Sequence, residues 1–301
     1  MAAANDQIAG AWEGINALPD MDDQQFARWA ELLERRTGMA MPGERKSFLV
    51  TSVGLRMREV GFEDFDAYYQ YLVSGVAGNL EWAALVDRLT VHETRFFRDP
   101  RALAYLADRV LPQLLAEDPR ELNLWSVGCS TGEEVYTLAM TVADSIGDDP
   151  AAPHYGITGT DISMHALGVG RQGTYPLRRL ADIPEDMRSR YCEILPERER
   201  FRVVPPLRRR VGFAQMNVLD AARTSSLQMD VIYCQNLLIY FDQERRRAIV
   251  DGLARHLRPG AILILGAGEF VRSRPSGLER VRNCGDVLAF RRPVNEQRSS
   301  P

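Results

Sequence analysis

The sequence has little of what would mark an exported, membrane-embedded or metal-built protein. Its 301 residues include four cysteines and four histidines. Cys129, Cys192, Cys234 and Cys284 are scattered, with no C-x-x-C pair and no histidine at ligand spacing. That argues against a disulfide framework or a zinc site and favours a reducing cytoplasm. No apolar run approaches the roughly 18 residues a membrane helix needs, and MAAANDQIAGAWEG has neither a basic nor an apolar targeting region. Neither secretion nor membrane insertion is expected. Positive charge is not in excess: the net charge of -4 lacks the basic footprint of a general nucleic-acid binder. His92-Glu93 begins an H-E-x-x-H pattern that fails because position 96 is Phe96, so no metal is expected. A G-x-S-x-G elbow and a Walker lysine are also missing, which removes support for hydrolase and phosphotransfer chemistry.

What is present is the composition of an ordinary globular protein, 45% hydrophobic and 26% charged, long enough for one large domain and a smaller one. From about Asp22 to Leu89 apolar residues recur at helical spacing, as in Phe26, Trp29, Leu32 and Leu33 and again in Phe48, Leu55 and Met57. Gly38, Pro42 and Gly61 punctuate them. This predicts a small all-helical N-terminal domain over residues 1–89, of four or so short helices, with EDFDAYYQYL as an amphipathic member. Arg45, Lys46, Arg56 and Arg58 read either as one basic face of that domain or as a solvated charged surface.

TVHETRFFRDP leads into a larger domain, residues 90–301, and Pro100 is suited to start a helix running to Leu115. Strand-like and helix-like stretches then alternate. Leu122 to Val127, His154 to Thr160, Asp230 to Cys234 and Ala261 to Gly266 read as strands. Glu133 to Ile146, Ser163 to Arg171 and Gln243 to Leu257 read as helices. The alternation predicts an α/β fold, a doubly wound, mostly parallel sheet buried on both faces. Val287 to Arg291 would add an antiparallel edge strand, and NEQRSSP a frayed end. Residues 173–212, or thereabouts, break the pattern. They are rich in arginine and carry strand-like FRVV and RRVGF around Pro205 and Pro206, which predicts a small inserted β-subdomain with a short helix and a hairpin. Its charge suits either an acidic partner or solvent.

Chemistry concentrates where predicted strands end. Gly128 to Gly132 joins a strand to a helix, and that order builds a cradle for a nucleotide-like ligand, because glycines admit close approach and the helix start offers free N–H groups. The spacing is not the G-x-G-x-x-G of dinucleotide enzymes. Glu133 and Glu134 open the helix. The helix dipole and a Thr131 to Glu134 capping box account for one of them, while the other can pair with a cationic ligand group. Asp161 can accept hydrogen bonds from two ribose hydroxyls or cap the next helix. Asn217 follows VGFAQM, where a third strand would end, and can read an adenine edge. Cys234-Gln235-Asn236 ends the next strand in the same way. No obvious nucleophile accompanies them, which suits a reaction whose cofactor and substrate bring their own reactive atoms.

Taken in order, TVHETRFFRDP, WSVGCSTGEEVYTLAM, GTDIS, Gly173-Thr174-Tyr175, NVLD, VIYCQNLLIYFD and LRPGAILILGAGE closely resemble the chemotaxis-receptor methyltransferases, the CheR family, over about Thr90 to Glu269. The resemblance implies a class I, Rossmann-like methyltransferase domain that moves a methyl group from S-adenosyl-L-methionine, leaving S-adenosyl-L-homocysteine. The acceptors it implies are glutamate side chains on a chemoreceptor's cytoplasmic helices, giving methyl esters in chemosensory adaptation. Carried over position by position, His92, Thr94, Arg98, Gly128, Glu133 or Glu134, Asp161, Asn217, Val218, Gln235 and Asn236 would contact the cofactor. Tyr240 and Arg98 would stand by the transferred methyl group. Phe96 and Phe97 are assigned to the core. Glutamate is ionised at neutral pH and needs no general base, so alignment and water exclusion would be the enzyme's work.

The sequence departs from that family in places. Asparagine is common where this chain has His92, and arginine where it has Gln235. Those departures leave open a non-catalytic adaptor with a degenerate cradle, and a methyltransferase for another substrate. The insertion also lacks the glycine-rich loop with which some members grip a receptor's C-terminal pentapeptide, so recognition without that tether is expected. In the family the helical domain docks on acidic receptor helices, which makes Arg45, Arg56 and Arg58 docking candidates.

Overall fold

The computed structural model describes residues 18–147, 149, 151–270 and 275–294; the N-terminal targeting reading and the expected frayed end fall outside them. The described residues divide into two compact units, 18–36 with 40–89 and 37–39 with 90–294. Among them no helix is long and apolar enough to cross a membrane.

The first unit is built from α1 (Asp23–Thr37), α2 (Lys46–Glu59), α3 (Phe65–Val73) and α4 (Gly75–Leu89). Their apolar stripes bury Trp29, Leu32, Leu33, Leu49, Val53, Met57, Phe65, Tyr68, Leu72 and Leu85. One acid sits inside that core. Glu81 accepts hydrogen bonds from Arg56 Nε and Nη2 and from the Tyr68 hydroxyl, each at 2.7 Å. A buried carboxylate needs such partners, because desolvation would otherwise dominate. The expected basic face of Arg45, Lys46, Arg56 and Arg58 therefore does not form. Arg56 is an internal counter-ion, Lys46 Nζ binds Asp23 Oδ1 at 2.7 Å, and Arg45 lies over the Phe48 ring at 5.0 Å. Arg58, two residues beyond Arg56, points about 200° around the helix from it.

The second unit begins with α5 (Pro100–Tyr105), capped by Asp99 Oδ1 on the Ala102 N–H at 3.1 Å. A π-helical turn, Leu106–Val110, carries it into α6 (Leu111–Leu115). There follow β1 (Glu121–Val127), α7 (Glu133–Ile146), β2 (His154–Asp161) and α8 (Met164–Gln172). Next come β3 (Thr174–Pro176), α9 (Glu185–Tyr191), β4 (Cys192–Leu195), β5 (Arg200–Val203) and α10 (Pro205–Arg208). The chain ends with β6 (Val211–Gln215), β7 (Met229–Cys234), α11 (Gln243–Ala254), β8 (Leu257–Leu265), β9 (Glu279–Arg280) and β10 (Leu288–Arg291).

Seven strands form one sheet in the order β6-β2-β1-β7-β8-β10-β9. The five from β6 to β8 run parallel, and β10 and β9 are antiparallel. Both faces are covered, which is why these strands read as nearly continuous apolar runs. Leu124, Val231, Tyr233, Ile262 and Ile264 enter one core cluster. Their neighbours Trp125, Ile232, Leu263 and Leu265 enter the other, as the two-residue period of a strand dictates. From β1 the chain winds outward through β2 to β6 and then crosses to β7 on the other side of β1. A crevice opens where a sheet switches direction, beyond the carboxyl ends of the strands.

Four expected boundaries change. The inserted subdomain is a three-stranded antiparallel sheet, β3-β5-β4, so FRVV gained a second partner, Thr174–Pro176. RRVGF does not belong to it: Val211–Gln215 pairs in parallel with β2, Ile157 opposite Val211. The last long helix stops at Ala254, and Leu257 already opens β8. The register between β7 and β8 shifts after Met229, which absorbs Pro259, a residue unable to donate to a ladder. Finally, Leu288–Arg291 is not the edge strand, since β9 pairs outside it.

Candidate active site

The turn after β1 places Gly128 (φ 73°), Ser130 (φ 49°) and Gly132 (φ 89°) in the left-handed region. It is tied down on several sides. The N–H groups of Gly128 and Cys129 both donate to the Thr160 carbonyl, at 2.8 and 2.9 Å. Ser130 N–H donates to Asp161 Oδ2 at 2.8 Å, and the Tyr175 hydroxyl of β3 donates to the Thr131 carbonyl at 2.8 Å. Asp161 Oδ1 accepts the Ser163 N–H at 2.9 Å. The α8 cap is Ser163, whose Oγ accepts the Ala166 N–H at 3.0 Å, so Asp161 is not the capping residue and its carboxylate faces the crevice.

The two glutamates at the start of α7 part company. No Thr131 to Glu134 capping box forms, because the cap position is Gly132. Glu133 is buried and receives the Thr131 hydroxyl at 2.5 Å; burial raises its pKa. Glu134 receives the Ser126 hydroxyl at 2.7 Å and lines the crevice. Its pKa is pushed up to about 8, chiefly by burial and further by the neighbouring Glu269 carboxyl, against the pull of Ser126 and Arg98.

The crevice is a single cleft of about 1140 Å³, open mouth included. His92, Thr94 and Arg98 line it before α5; Gly128 and Glu134 follow β1, and Asp161 ends β2. Asn217 and Val218 follow β6, and Gln235, Asn236 and Tyr240 follow β7. Of the residues singled out in the sequence, Glu133 alone is turned elsewhere. Arg98 is held by its Nη1 donating to the Glu93 carbonyl at 2.5 Å, and the Thr94 carbonyl accepts Arg179 Nη1 at 2.7 Å. His92 Nε2 lies 3.0 Å from Thr90 Oγ1. Asn217 Oδ1 caps the short turn Val218–Arg223 by accepting the Leu219 N–H at 3.1 Å. Asn236 takes a left-handed φ of 56°.

Two buried polar atoms on this wall, Ser130 Oγ and Gln235 Nε2, have no hydrogen-bond partner among the described residues. Unpartnered buried polar groups are costly, so a polar ligand is what this wall is shaped to receive. Ser130, Ile162, Met216, Leu237 and Phe241 also line the cleft and were not foreseen. They adjoin foreseen residues in the chain, but strand periodicity does not say which neighbour of a strand's end turns into a crevice. Phe97, assigned to the core, lines the cleft as well; its φ is 49°, and its N–H donates to Thr137 Oγ1 at 3.1 Å. Phe96 is fully in the core, edge-on to Tyr175 at 5.0 Å.

Residues 92–284 match the family model of the CheR methyltransferase, SAM binding domain, and residues 24–90 that of the CheR methyltransferase, all-alpha domain. The chain belongs to the CheR methyltransferase family. Its relatives include the chemotaxis protein methyltransferase of Escherichia coli, 30% identical over 83% of this chain and 85% of that protein. Chemotaxis protein methyltransferase 2 of Pseudomonas aeruginosa is 31% identical over 82% and 86%. The chemotaxis protein methyltransferase of Borreliella burgdorferi is 28% identical over 86% and 92%. The α/β unit is thus the S-adenosylmethionine-binding domain of a methyltransferase, and the first unit is the family's all-helical domain. The cleft fits that cofactor in kind: acids for a cation and for hydroxyls, amides, and an apolar wall.

Proposed function

We propose that this methyltransferase carries the methyl group of S-adenosylmethionine to glutamate side chains on a chemoreceptor's cytoplasmic helices, forming glutamate methyl esters. The observation that carries the reading is that Arg98, Glu134, Asp161, Asn217, Asn236 and Tyr240, from separate elements, share one cleft at the strand ends. When bound, S-adenosylmethionine supplies an electrophilic methyl group on a sulfonium. Asp161 has two of its carboxylate lone pairs taken by backbone N–H groups and about two left for ribose hydroxyls. Glu134 opposes an ammonium group, and Asn217 offers its amide to the adenine edge with Val218 beside it.

Arg98 presents a planar fork suited to a carboxylate, and Tyr240 stands with it at the methyl-accepting end. No residue is assigned as a base, because a glutamate acceptor is already ionised near neutral pH. What these side chains supply is alignment and a dry wall, the latter from Phe97, Leu237 and Phe241. Recognition needs no C-terminal peptide tether: β4 and β5 are joined by the tight 3-10 turn Pro196–Arg198, with no glycine-rich loop. For docking, Arg45 and Arg58 remain candidates, whereas Arg56 is committed to Glu81.

The test is transfer of tritiated methyl groups to receptor cytoplasmic fragments. Base-labile label on the receptor is expected; base-stable label, or label on another class of substrate, would sink the carboxyl-methylation reading. Measurable affinity for a receptor C-terminal peptide, mapped to the β4–β5 hairpin, would overturn tether-free recognition.

A further inference from the structure

The turn that carries Tyr240 is clamped by a residue that none of the roles above uses. Leu238–Tyr240 is a single 3-10 turn after β7, a form whose hydrogen-bond geometry is poor. Its own bonds are long: the Tyr240 N–H donates to the Leu237 carbonyl at 3.3 Å and the Phe241 N–H to the Leu238 carbonyl at 3.1 Å. Arg246, in the opening turn of α11, supplies what the turn lacks. Its Nε donates to the Phe241 carbonyl at 2.8 Å, its Nη2 to the Ile239 carbonyl at 3.4 Å and its Nη1 to the Glu269 carbonyl at 3.2 Å. One planar group thus holds a carbonyl on each side of Tyr240 and a third beyond the end of β8.

The reach follows from helix geometry, because side chains lean toward the helix N-terminus, and an arginine in the opening turn falls back over the residues that lead into it. Helix stability does not call for it, since a cation there opposes the helix dipole. Its neighbour Arg245 pairs with Asp242, whereas Arg246 spends its donors on backbone. The consequence falls on Tyr240. The Ile239 carbonyl and the Tyr240 N–H belong to one rigid peptide plane, and Arg246 and Leu237 hold its two ends. The Phe241 N–H fixes the plane on the other side of the Tyr240 Cα, so the direction in which the Tyr240 side chain leaves the backbone is set. Leu237, Tyr240 and Phe241 line the cleft, while Ile239 among them is 51% exposed. The third carbonyl is the anchor. Glu269 is 4% exposed, its N–H donates to the Gly266 carbonyl at 3.1 Å, and the Gly266 N–H donates to the Cys234 carbonyl of β7 at 3.2 Å.

We propose that Arg246 is a positioning residue for methyl transfer: by bracketing the Tyr240 turn against the segment after β8, it sets where Tyr240 stands at the acceptor end of the cleft. The inference rests on the reading that Tyr240 stands by the transferred methyl group. Lysine is no substitute, because an ammonium is a point charge without the fork that spans separate acceptors. The bracket acts on the acceptor end, so it bears on kcat and leaves cofactor capture alone.

Rates of methyl transfer from S-adenosylmethionine to receptor cytoplasmic fragments, measured on the full chain well below its melting temperature, test this in Arg246→Met, Arg246→Lys, Tyr240→Phe and the double variant of Arg246→Met with Tyr240→Phe. In Arg246→Met kcat is expected to fall about ten- to a hundredfold, the scale of a misplaced group, with the KM for S-adenosylmethionine within about twofold of the parent. Arg246→Lys keeps the charge and should still fall severalfold short. Tyr240→Phe should lower kcat by itself, and Arg246→Met added to it should lower kcat little further, because the two residues act as one unit. A parent-like kcat in Arg246→Met, even with a lower melting temperature, would make Arg246 a structural staple and overturn the inference. Losses that multiply in full in the double variant, or a loss taken up by the KM for the cofactor, would overturn it as well, and each of these leaves the reading of Tyr240 intact. Should Arg246→Met fail to fold, Arg246→Lys serves in its place, alone and with Tyr240→Phe, and a parent-like kcat there sinks the inference. If Tyr240→Phe keeps the parent's kcat, the reading of Tyr240 itself falls, and the inference with it.

Discussion

Asp161 and Ser130 are joined by a 2.8 Å hydrogen bond from the Ser130 N–H to Asp161 Oδ2, so the end of β2 fixes the left-handed turn that follows β1. In Asp161→Ala the N–H groups of Ser130 and Ser163 lose their acceptor, at about 1–3 kcal/mol for each that stays buried. We expect a lower melting temperature together with at least a roughly hundredfold loss of S-adenosylhomocysteine affinity, read by calorimetry. A variant that melts lower but binds normally would remove Asp161 from the ligand set.

Gln235 separates binding from stability in the opposite sense. Its Nε2 is buried without a partner, so Gln235→Leu forfeits no internal hydrogen bond from that atom and should unfold within about 1 kcal/mol of the parent. Ligand affinity should nevertheless drop about tenfold if Nε2 finds its acceptor on the cofactor. Equal affinity in parent and variant would assign the amide no role.

Gly132 has two reasons to be glycine. Its φ is 89°, and an added Cβ would stand 2.9 Å from both Gly170 Cα and the Phe213 ring. Gly132→Ala therefore combines backbone strain with overpacking, a cost of about 2–4 kcal/mol. Urea denaturation should show it as a lower midpoint with an unchanged slope.

Arg56 and Arg58 are predicted to behave differently although they stand two residues apart. Arg56→Ala strands the buried Glu81 carboxylate and should destabilise the helical unit by about 3 kcal/mol, so any loss of receptor methylation would come with loss of fold. Arg58→Glu leaves the Arg56–Glu81 pairing in place and should lower the melting temperature less than Arg56→Ala does. If it also leaves methylation of receptor fragments unchanged at physiological salt, Arg58 is not a docking residue.

The buried acids give stability a pH dependence of known sign. Glu269 rises from 4.5 unfolded to about 7 folded, so between those values the native state binds more protons than the unfolded one and stability falls as pH rises, levelling above about 7. The cost at pH 8 is on the order of 3 kcal/mol as an upper figure. Glu269→Gln should recover much of it at pH 8 and little at pH 5, seen as converging denaturation midpoints on acidification.

The parallel sheet was legible because burial on both faces leaves long apolar runs, and the cleft because acids and amides stand at strand ends: Glu134, Asp161, Asn217 and Asn236 are all found there. What was hidden lay in three dimensions. Two arginines in a helical segment reveal nothing of Glu81, which reaches Arg56 from another helix. Val211–Gln215 looked like part of an insertion because arginines precede it, and only pairing with β2 assigns it to the main sheet. Glu269 closes an apolar run, and no local pattern told that its carboxyl turns inward.

The Tyr175 hydroxyl on the Thr131 carbonyl has a consequence for engineering. The inserted β3-β5-β4 sheet looks like an ornament that could be exchanged between relatives, yet it supplies a donor to the loop that shapes the cofactor cleft. Grafting a different insertion without an equivalent of Tyr175 would leave that carbonyl without its donor, so the first expected effect of such an exchange is a loosened turn after β1.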